Sequence, residues 1–535
     1  MIKKSDFILL QIASRYRFNA GKTAFIWLFQ LAIIAVNTGC VSLPKNNSVR
    51  SLSVIAPPDA VLSQLASANT PSNPNESSFV FLSDGADAFV ARMALASKAE
   101  TSIDVQYYIW HNDVTGNLLV NELIKSAERG VRVRILVDDI NFSSANDDAL
   151  ALLASYPTVS VRVFNPFNRK VDKVSQMVLR FGDITRRMHN KSFVVDGQVS
   201  ILGGRNIGDE YFGANSQLEF ADLDVLSIGP IVADVSSVYD LYWNNPLAYP
   251  IELLRPKMFD KQYIDKKREE LFDFALEQQN SVYGDKVRAS NFLKQLLEQK
   301  LSFFSGNVEL IYDDPDKISS SRDQTELHLI SKLAPKIHNI HKELLIITPY
   351  FVPKDKGLDF LLALEKKGVQ VRVVTNSLAS TDVSMVHAGY KNARKKLLKA
   401  GVELYEMKAD PSALKMPNKT NFGSSRASLH AKTFAIDRET LFVGSLNVDP
   451  RSFTENTEMG MLIHSEEAAQ ILGEWFDSDL KQSVYTLSWD EQSGNIIWTD
   501  YNDGDVRKYS HDPDTSWLLR RWVDFLSLLP IKSQL

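Results

Sequence analysis

Apolar positions in this chain change period in a fixed order, and the order is played twice. Ile103-Asp104-Val105-Gln106-Tyr107-Tyr108-Ile109 predicts a strand, because its apolar side chains alternate at the start. Asn117 to Arg129 then carries Leu119, Val120, Leu123, Ile124 and Ala127 at helical spacing, and Gly130 is placed to end that helix. Val131 to Val137 predicts the next strand. The later part repeats this plan: a strand over Leu344 to Tyr350, a helix over Leu358 to Lys367, Gly368 as its stop, and a strand over Val369 to Val374. Arg129-Gly130-Val131-Arg132-Val133-Arg134 set against Lys367-Gly368-Val369-Gln370-Val371-Arg372 indicates an internal duplication. Alternating strands and helices predict an α/β sandwich with a mixed sheet in each half.

The pattern also sets expected boundaries. Residues 78–254 form a first domain and 306–535 a second. Between them, 255–305 is dominated by charged helical runs such as Lys266-Lys267-Arg268-Glu269-Glu270 and reads as a helical connector. Trp517 to Leu529 places Leu518, Trp522, Phe525 and Leu529 along one side, an amphipathic segment suited to a membrane interface or to the protein's own core. Ahead of the first domain, 41–77 is rich in Ser, Pro, Asn and Ala and reads as a disordered tether. Residues 1–40 read as a targeting segment. Basic Lys3, Lys4, Arg15, Arg17 and Lys22 precede the apolar stretch Ala24 to Val36, which is short for a membrane span. Asn37-Thr38-Gly39-Cys40 follows, and small residues before a cysteine resemble a bacterial lipoprotein processing site, which makes Cys40 a candidate for lipidation. The expected location is the bacterial cell envelope, with the chain held at a membrane through this N-terminal segment.

Charge and composition narrow the function. The chain is long enough, at 535 residues, for two full cores. Its net charge of -5 argues against a nucleic-acid binder that relies on overall positive charge. Its single cysteine, Cys40, excludes an intramolecular disulfide framework.

The chemistry lies in a doubled phrase. His189-Asn190-Lys191, Asp196 and Gly203-Gly204-Arg205-Asn206 match His430-Ala431-Lys432, Asp437 and Gly444-Ser445-Leu446-Asn447 at the same internal spacing. Each phrase enters a strand, Ser192 to Val195 or Thr433 to Ile436, so His189 and Lys191 share a face, as do His430 and Lys432. Asn206 and Asn447 follow the next strand and bring an amide donor to the same edge. Asp222 and Asp224, and Glu458 in the second half, follow 33 to 35 and 28 residues after the histidine of their own half. They are placed to orient an imidazole through a ring nitrogen. Imidazole, ammonium and carboxamide in duplicate suit the attack on, and neutralisation of, a phosphodiester. This suggests one composite site built from two halves.

With Val105 to Trp110, Arg187 to Ser192, Gly203 to Asp209, Val386 to Tyr390 and Asn456 to Gly460 added, the chain resembles the phospholipase D superfamily with two HxKxxxxD motifs, and within it the bacterial cardiolipin synthases of the C type. The resemblance covers residue 78 to the C-terminus. It implies two duplicated phospholipase D-like α/β sandwich domains and a phosphatidyl transfer between phospholipids. It also implies a covalent phosphohistidine on His189, His430 as acid and base, and phosphate held by Lys191, Lys432, Asn206 and Asn447. Asp196 and Asp437 belong to the motif and are expected to support loop geometry. Phosphatidylglycerol is the expected acceptor, with phosphatidylglycerol or phosphatidylethanolamine as donor. Hydrolysis to phosphatidic acid uses the same residues and stays open, while an inactive scaffold is disfavoured by two complete motifs. The scheme needs no cofactor and no metal, since the two lysines supply the positive charge. Arg169, Lys170, Lys173, Arg180, Arg186 and Arg187, interleaved with apolar residues, suggest a surface facing an anionic membrane.

Overall fold

The computed structural model describes residues 43–535 except 142, 181, 216–217, 256–258, 299, 410–425, 479, 503–504 and 529–535. The targeting segment and Cys40 lie outside the described residues. The chain falls into two compact units, one holding 167–185 and the other 46–166 with 186–535.

In the larger unit the first half contributes β1 (Glu76–Leu82), β2 (Ser102–Tyr107), β3 (Arg132–Asp138), β4 (Val159–Phe164), β5 (Ser192–Val195), β6 (Val199–Gly203), β7 (Leu218–Ala221), β8 (Asp224–Ile228) and β9 (Ala248–Pro250). The second half contributes β10 (Phe304–Tyr312), β11 (Glu343–Ile347), β12 (Gln370–Asn376), β13 (Glu403–Met407), β14 (Arg426–Leu429), β15 (Thr433–Ile436), β16 (Thr440–Gly444) and β17 (Met459–His464). An extension follows, made of β18 (Val484–Asp490), β19 (Asn495–Asn502) and β20 (Asp505–Tyr509).

Strand pairing shows the duplication directly. Reading outward from β1, the first half runs β1, β8, β6, β5, β2, β3, β4, β9. Reading outward from β10, the second runs β10, β17, β16, β15, β11, β12, β13, β18. β1 and β10 pair antiparallel and join the two series. In each half the β2–β3–β4 or β11–β12–β13 trio is parallel, with helices in the crossovers: Val114–Glu128 after β2 and Asp355–Lys366 after β11. Gly130 and Gly368, the expected helix stops, both take left-handed backbone angles (φ 92° and 87°). One buried apolar cluster draws on both halves, among them Leu136, Val194 and Trp243 with Ile347, Val443 and Met461.

The connector region is helical, with helices at Lys261–Gln279, Val282–Arg288 and Asn291–Leu297. The expected tether differs from the structure. Residues 51–56 lie along the first half, where the carbonyls of Leu52 and Ser51 accept from Arg132 and Arg134, and Ser53 N donates to Asp240 at 2.8 Å. A helix follows at Val61–Asn69. A polar composition concealed this docking, because it rests on backbone groups satisfying arginines of the sheet rather than on side-chain type.

The smaller unit has its own local order. Helix Lys173–Leu179 is capped by Asp172, and the Gln176 amide bonds the backbone of Asn168 at 2.7 and 2.9 Å. Val174 and Met177 are exposed.

Candidate active site

Each motif is a strand approached by its own hairpin. β5 and β6, like β15 and β16, are joined by a tight turn whose two central residues have positive φ: Asp196 and Gly197 (56° and 62°) and Asp437 and Arg438 (53° and 56°). This is the primed turn that matches strand twist, and aspartate tolerates its left-handed backbone. The two aspartates accept the backbone N–H groups that open the neighbouring strand. Asp196 takes those of Glu100, Thr101 and Ser102 at 2.7 to 3.0 Å, and Asp437 those of His341, Lys342 and Glu343 at 2.7 to 3.2 Å. The histidines and lysines stand at the other end of the same four-residue strands. The motif aspartates therefore pin the hairpin and do not share the imidazoles' surroundings.

At the working end the chain crosses itself. The residue before each histidine pairs in parallel with the residue before a carboxylate of the opposite half. β14 pairs β7 up to Leu429 and Ala221, and Met188 bridges Thr457. His430 N donates to Ala221 O at 2.8 Å, and His189 N to Thr457 O at 2.9 Å. Consequently His189 Nδ1 meets Glu458 at 2.8 Å and His430 Nδ1 meets Asp222 at 2.5 Å. Spacing along the chain pointed each carboxylate to the histidine of its own half, and the structure exchanges them. Asp224, the other carboxylate considered, instead pairs with Arg92 at 2.8 Å.

With a carboxylate on Nδ1, each imidazole keeps Nε2 as its free nitrogen. Both rings are buried, 8% and 6% exposed, which keeps bulk water off them. Lys191 Nζ donates to His189 O at 2.6 Å, and Lys432 Nζ donates to His430 O and lies 2.9 Å from His430 Nδ1. Both ammonium groups are buried. Burial lowers Lys191 to about 7, against the pull of Glu458, and Lys432 to about 8, against Asp222. Aromatic rings wall the imidazoles: Tyr108 meets His189 edge-on at 4.9 Å, and Tyr211 and Phe220 flank His430 at 5.1 and 5.0 Å. Asn206 accepts from Ile109 N at 3.2 Å and donates to Tyr211 Oη at 2.9 Å, which leaves one amide hydrogen unused. Asn447 Oδ1 is buried without a partner.

The two half-sites are not electrostatically equal. Burial alone would raise Asp222, but the charges of His430 and Lys432 and the histidine hydrogen bond hold it well below the usual carboxylate range. Burial raises Glu458 to about 7, only partly opposed by Lys191 and by Ser445 Oγ, which donates to Glu458 at 2.5 Å. Burial, followed by the charges of Lys191 and Lys432, pushes His189 well below the ordinary imidazole value. His430 is lowered by burial and Lys432 while Asp222 pulls it back up. The counterpart of Ser445 is Gly204, where a Cβ would stand 2.1 Å from Asp222 Oδ1. Two mismatches between the matched phrases signalled this asymmetry: Gly204 against Ser445, and Arg205, whose charge helps hold Asp222 low, against Leu446. Tyr108, Tyr211 and Phe220 carried no such signal.

Two expected lipid-facing residues are buried instead. Arg187 pairs with Asp138 at 2.9 Å, and Arg186 donates to the carbonyls of Lys317, Ile318 and Ser320. His387 lies buried between Arg394 and Asp512 and serves that network.

Comparisons with known proteins follow the same architecture. The family described as "Cardiolipin synthase, PLD-like domain" matches residues 93–224 and 333–480. The chain is 40% identical to cardiolipin synthase C of Escherichia coli K12, over 88% of this chain and 99% of that protein. It is 30% identical to an uncharacterized Helicobacter pylori protein over 94% of this chain and 99% of that one. In fold it is similar to the phosphatidylserine synthase of Haemophilus influenzae, with a TM-score of 0.53 and 15% identity, covering 87% of this chain and 96% of that structure. Two matched repeats and a relative that spans nearly the whole chain show that this protein belongs to the cardiolipin synthase family of the phospholipase D superfamily.

Proposed function

We propose that the chain transfers a phosphatidyl group between phospholipids to form cardiolipin. The observation that carries the chemistry is the pair of buried imidazoles, each with Nδ1 on a carboxylate and each beside a buried lysine. The similarity to a cardiolipin synthase over nearly the full chain supports the lipid acceptor.

In this reading His189 Nε2 attacks phosphorus of the donor lipid while the P–O bond to its headgroup alcohol breaks. The low proton affinity of His189 leaves it neutral and nucleophilic near pH 7. His430, backed by ionised Asp222, gives its proton to the leaving oxygen. The glycerol hydroxyl of phosphatidylglycerol then gives its proton to His430 as its oxygen bonds phosphorus and the N–P bond breaks. Lys191 and Lys432, with the amides of Asn206 and Asn447, hold the non-bridging oxygens as their charge redistributes. The donor is phosphatidylglycerol or phosphatidylethanolamine. Cys40 and residues 1–40 supply the envelope anchor, and among the described residues no helix is long and apolar enough to cross a membrane.

The test is incubation of purified protein with labelled phosphatidylglycerol, with and without phosphatidylethanolamine. Cardiolipin is the expected product, and it vanishes in His189→Ala and His430→Ala. Phosphatidic acid as sole product supports hydrolysis instead. Acid quenching should trap phosphohistidine in His430→Ala and not in His189→Ala, and the reverse pattern exchanges the two roles.

A further inference from the structure

Helix Trp517–Leu528 buries one side only. Val523 and Leu526, with Leu519 beside them, pack on Leu378 and Ala388. At 3.6 residues per turn, Trp517, Leu518, Arg521, Trp522, Phe525 and Leu528 share the opposite arc. The five apolar side chains of that arc are 52% to 83% exposed, and Trp517 and Trp522 are the only exposed tryptophans among the described residues. Trp522 and Phe525 stack at 5.8 Å, and the Arg521 guanidinium stands 5.6 Å from the Trp517 ring.

The chemistry of this face selects its occupant. A protein core laid on it would bury Arg521 in mid-face with only Asp524, at 3.4 Å, for company. A lipid interface takes the tryptophans and phenylalanine at headgroup depth and lets Arg521 reach phosphate oxygens. Charge agrees: in a chain of net charge -5, the helix Ser384–Ala400 on which this one packs exposes Lys395, Lys396 and Lys399. The face is also tied to the catalytic edge. Leu378 lies just beyond β12, whose Asn376 brackets Leu429 through both its amide and its carbonyl, next to His430. In the same loop Asp382 accepts from Tyr350 Oη at 2.8 Å and acts on the charge of Lys432.

We propose that helix Trp517–Leu528 is an interfacial helix. It seats the catalytic body on the headgroup–acyl boundary of an anionic phospholipid bilayer and brings lipid phosphates to the sheet edge that carries His430. The proposal rests on the reading of phospholipid as substrate, and its deciding measurement, quenching, does not depend on turnover. The full chain is reconstituted in vesicles of phosphatidylglycerol and phosphatidylethanolamine, with acyl chains either plain or brominated near the glycerol. Tryptophan fluorescence is compared between wild type and Trp517→Phe/Trp522→Phe. Trp27, in the N-terminal apolar segment, contributes quenchable emission to both proteins alike, and the emission lost in the variant is expected to be quenched by brominated lipid in addition to it. Equal fractional quenching of both proteins overturns the proposal. A second variant, with Trp517, Leu518, Trp522 and Phe525 all changed to Ser, spares the buried side and is expected to lower turnover of vesicle lipid about 10- to 100-fold. If that variant instead turns a dimer into a monomer by light scattering, with no differential quenching, the face covers a second copy and the proposal fails. Quenching without cardiolipin formation leaves the docking intact and removes the synthase reading. Cardiolipin formation without differential quenching does the opposite.

Discussion

Replacing Glu458 by Gln and Asp222 by Asn is expected to give unequal losses, and the inequality follows from hydrogen-bond counting. Glu458 Oε2 accepts from both His189 Nδ1 and Ser445 Oγ, while Oε1 makes no hydrogen bond. Glutamine places its NH2 at the Oε1 position and keeps both contacts. Asp222 has no such free oxygen: Oδ2 accepts from His430 and Oδ1 from Leu223 N at 2.8 Å. Asparagine must turn an NH2 against one of these donors, which costs roughly 1–3 kcal/mol in a buried site. It also removes the anion beside an imidazolium, a Coulomb interaction on the order of 4 kcal/mol at about 4 Å and an effective dielectric near 20. Together they raise the barrier by roughly 5–7 kcal/mol, or about 10⁴- to 10⁵-fold in kcat. The glutamine variant exchanges a charge-assisted bond for a neutral one and should lose about 10-fold or less. The pH dependence sharpens the contrast. Glu458 is raised to about 7, so below pH 7 the wild type already carries a neutral group there and the Glu458→Gln deficit shrinks. Above pH 7 the deficit grows, since ionised Glu458 also helps keep Lys191 protonated. Asp222 stays ionised throughout, so the Asp222→Asn deficit holds steady from pH 8 down to 5.5. The assay is turnover of phosphatidylglycerol in mixed micelles across this range. Equal deficits at pH 6, or a Glu458→Gln deficit that widens toward acid, would refute the assigned asymmetry.

Three further outcomes are expected. Lys191→Met abolishes turnover yet raises the melting temperature by a few degrees. The folded pKa near 7 lies below the unfolded 10.5, so the cost of burying the charge is fully present below pH 7 and fades as pH rises toward 10.5; melting curves at pH 6 and pH 9.5 check this. Asp196→Ala strips three backbone N–H groups of their acceptor and is expected to cost roughly 2–4 kcal/mol in chemical denaturation, with kcat per folded molecule near wild type. Gly204→Ala drives a Cβ to 2.1 Å from Asp222 Oδ1 and should match the loss of Asp222→Asn in kcat while leaving Glu458 chemistry untouched, as read from an unchanged pH trend.

The legible part of this molecule was what repeats locally. The strands entering from each motif, Ser192–Val195 and Thr433–Ile436, stand where the periodicity put them, and Gly130 and Gly368 take the backbone angles their positions required. The illegible part was what depends on contacts between distant segments. His189 and Glu458 are 269 residues apart, and sequence spacing favoured partners in the same half. Arg186 and Arg187 read as a cationic surface because a local window cannot see the carbonyls of 317–320 or the carboxylate of Asp138 closing over them. Residues 51–56 read as tether for the same reason: their stabilising bonds are to arginines about 80 residues later.

The exchange of carboxylates explains why the duplication makes one site and not two. Either half alone holds an imidazole and a lysine, but its histidine Nδ1 has no carboxylate until the other half arrives, so neither half has an oriented ring. The parallel bridges Leu429–Ala221 and Met188–Thr457 set that geometry through backbone, before any side chain is chosen. Side chains then break the symmetry at the carboxylates themselves and at matched positions such as Gly204 and Ser445. A serine hydroxyl at 445 fits beside a glutamate, whereas at 204 only glycine fits beside a shorter aspartate. Burial carries Glu458 to about 7 against Lys191 and the Ser445 bond, whereas at Asp222 burial is overcome by the charges of His430 and Lys432, and two imidazoles of the same origin acquire different proton affinities. A two-step displacement needs that difference, because one ring must give a lone pair to phosphorus while the other gives a proton to oxygen.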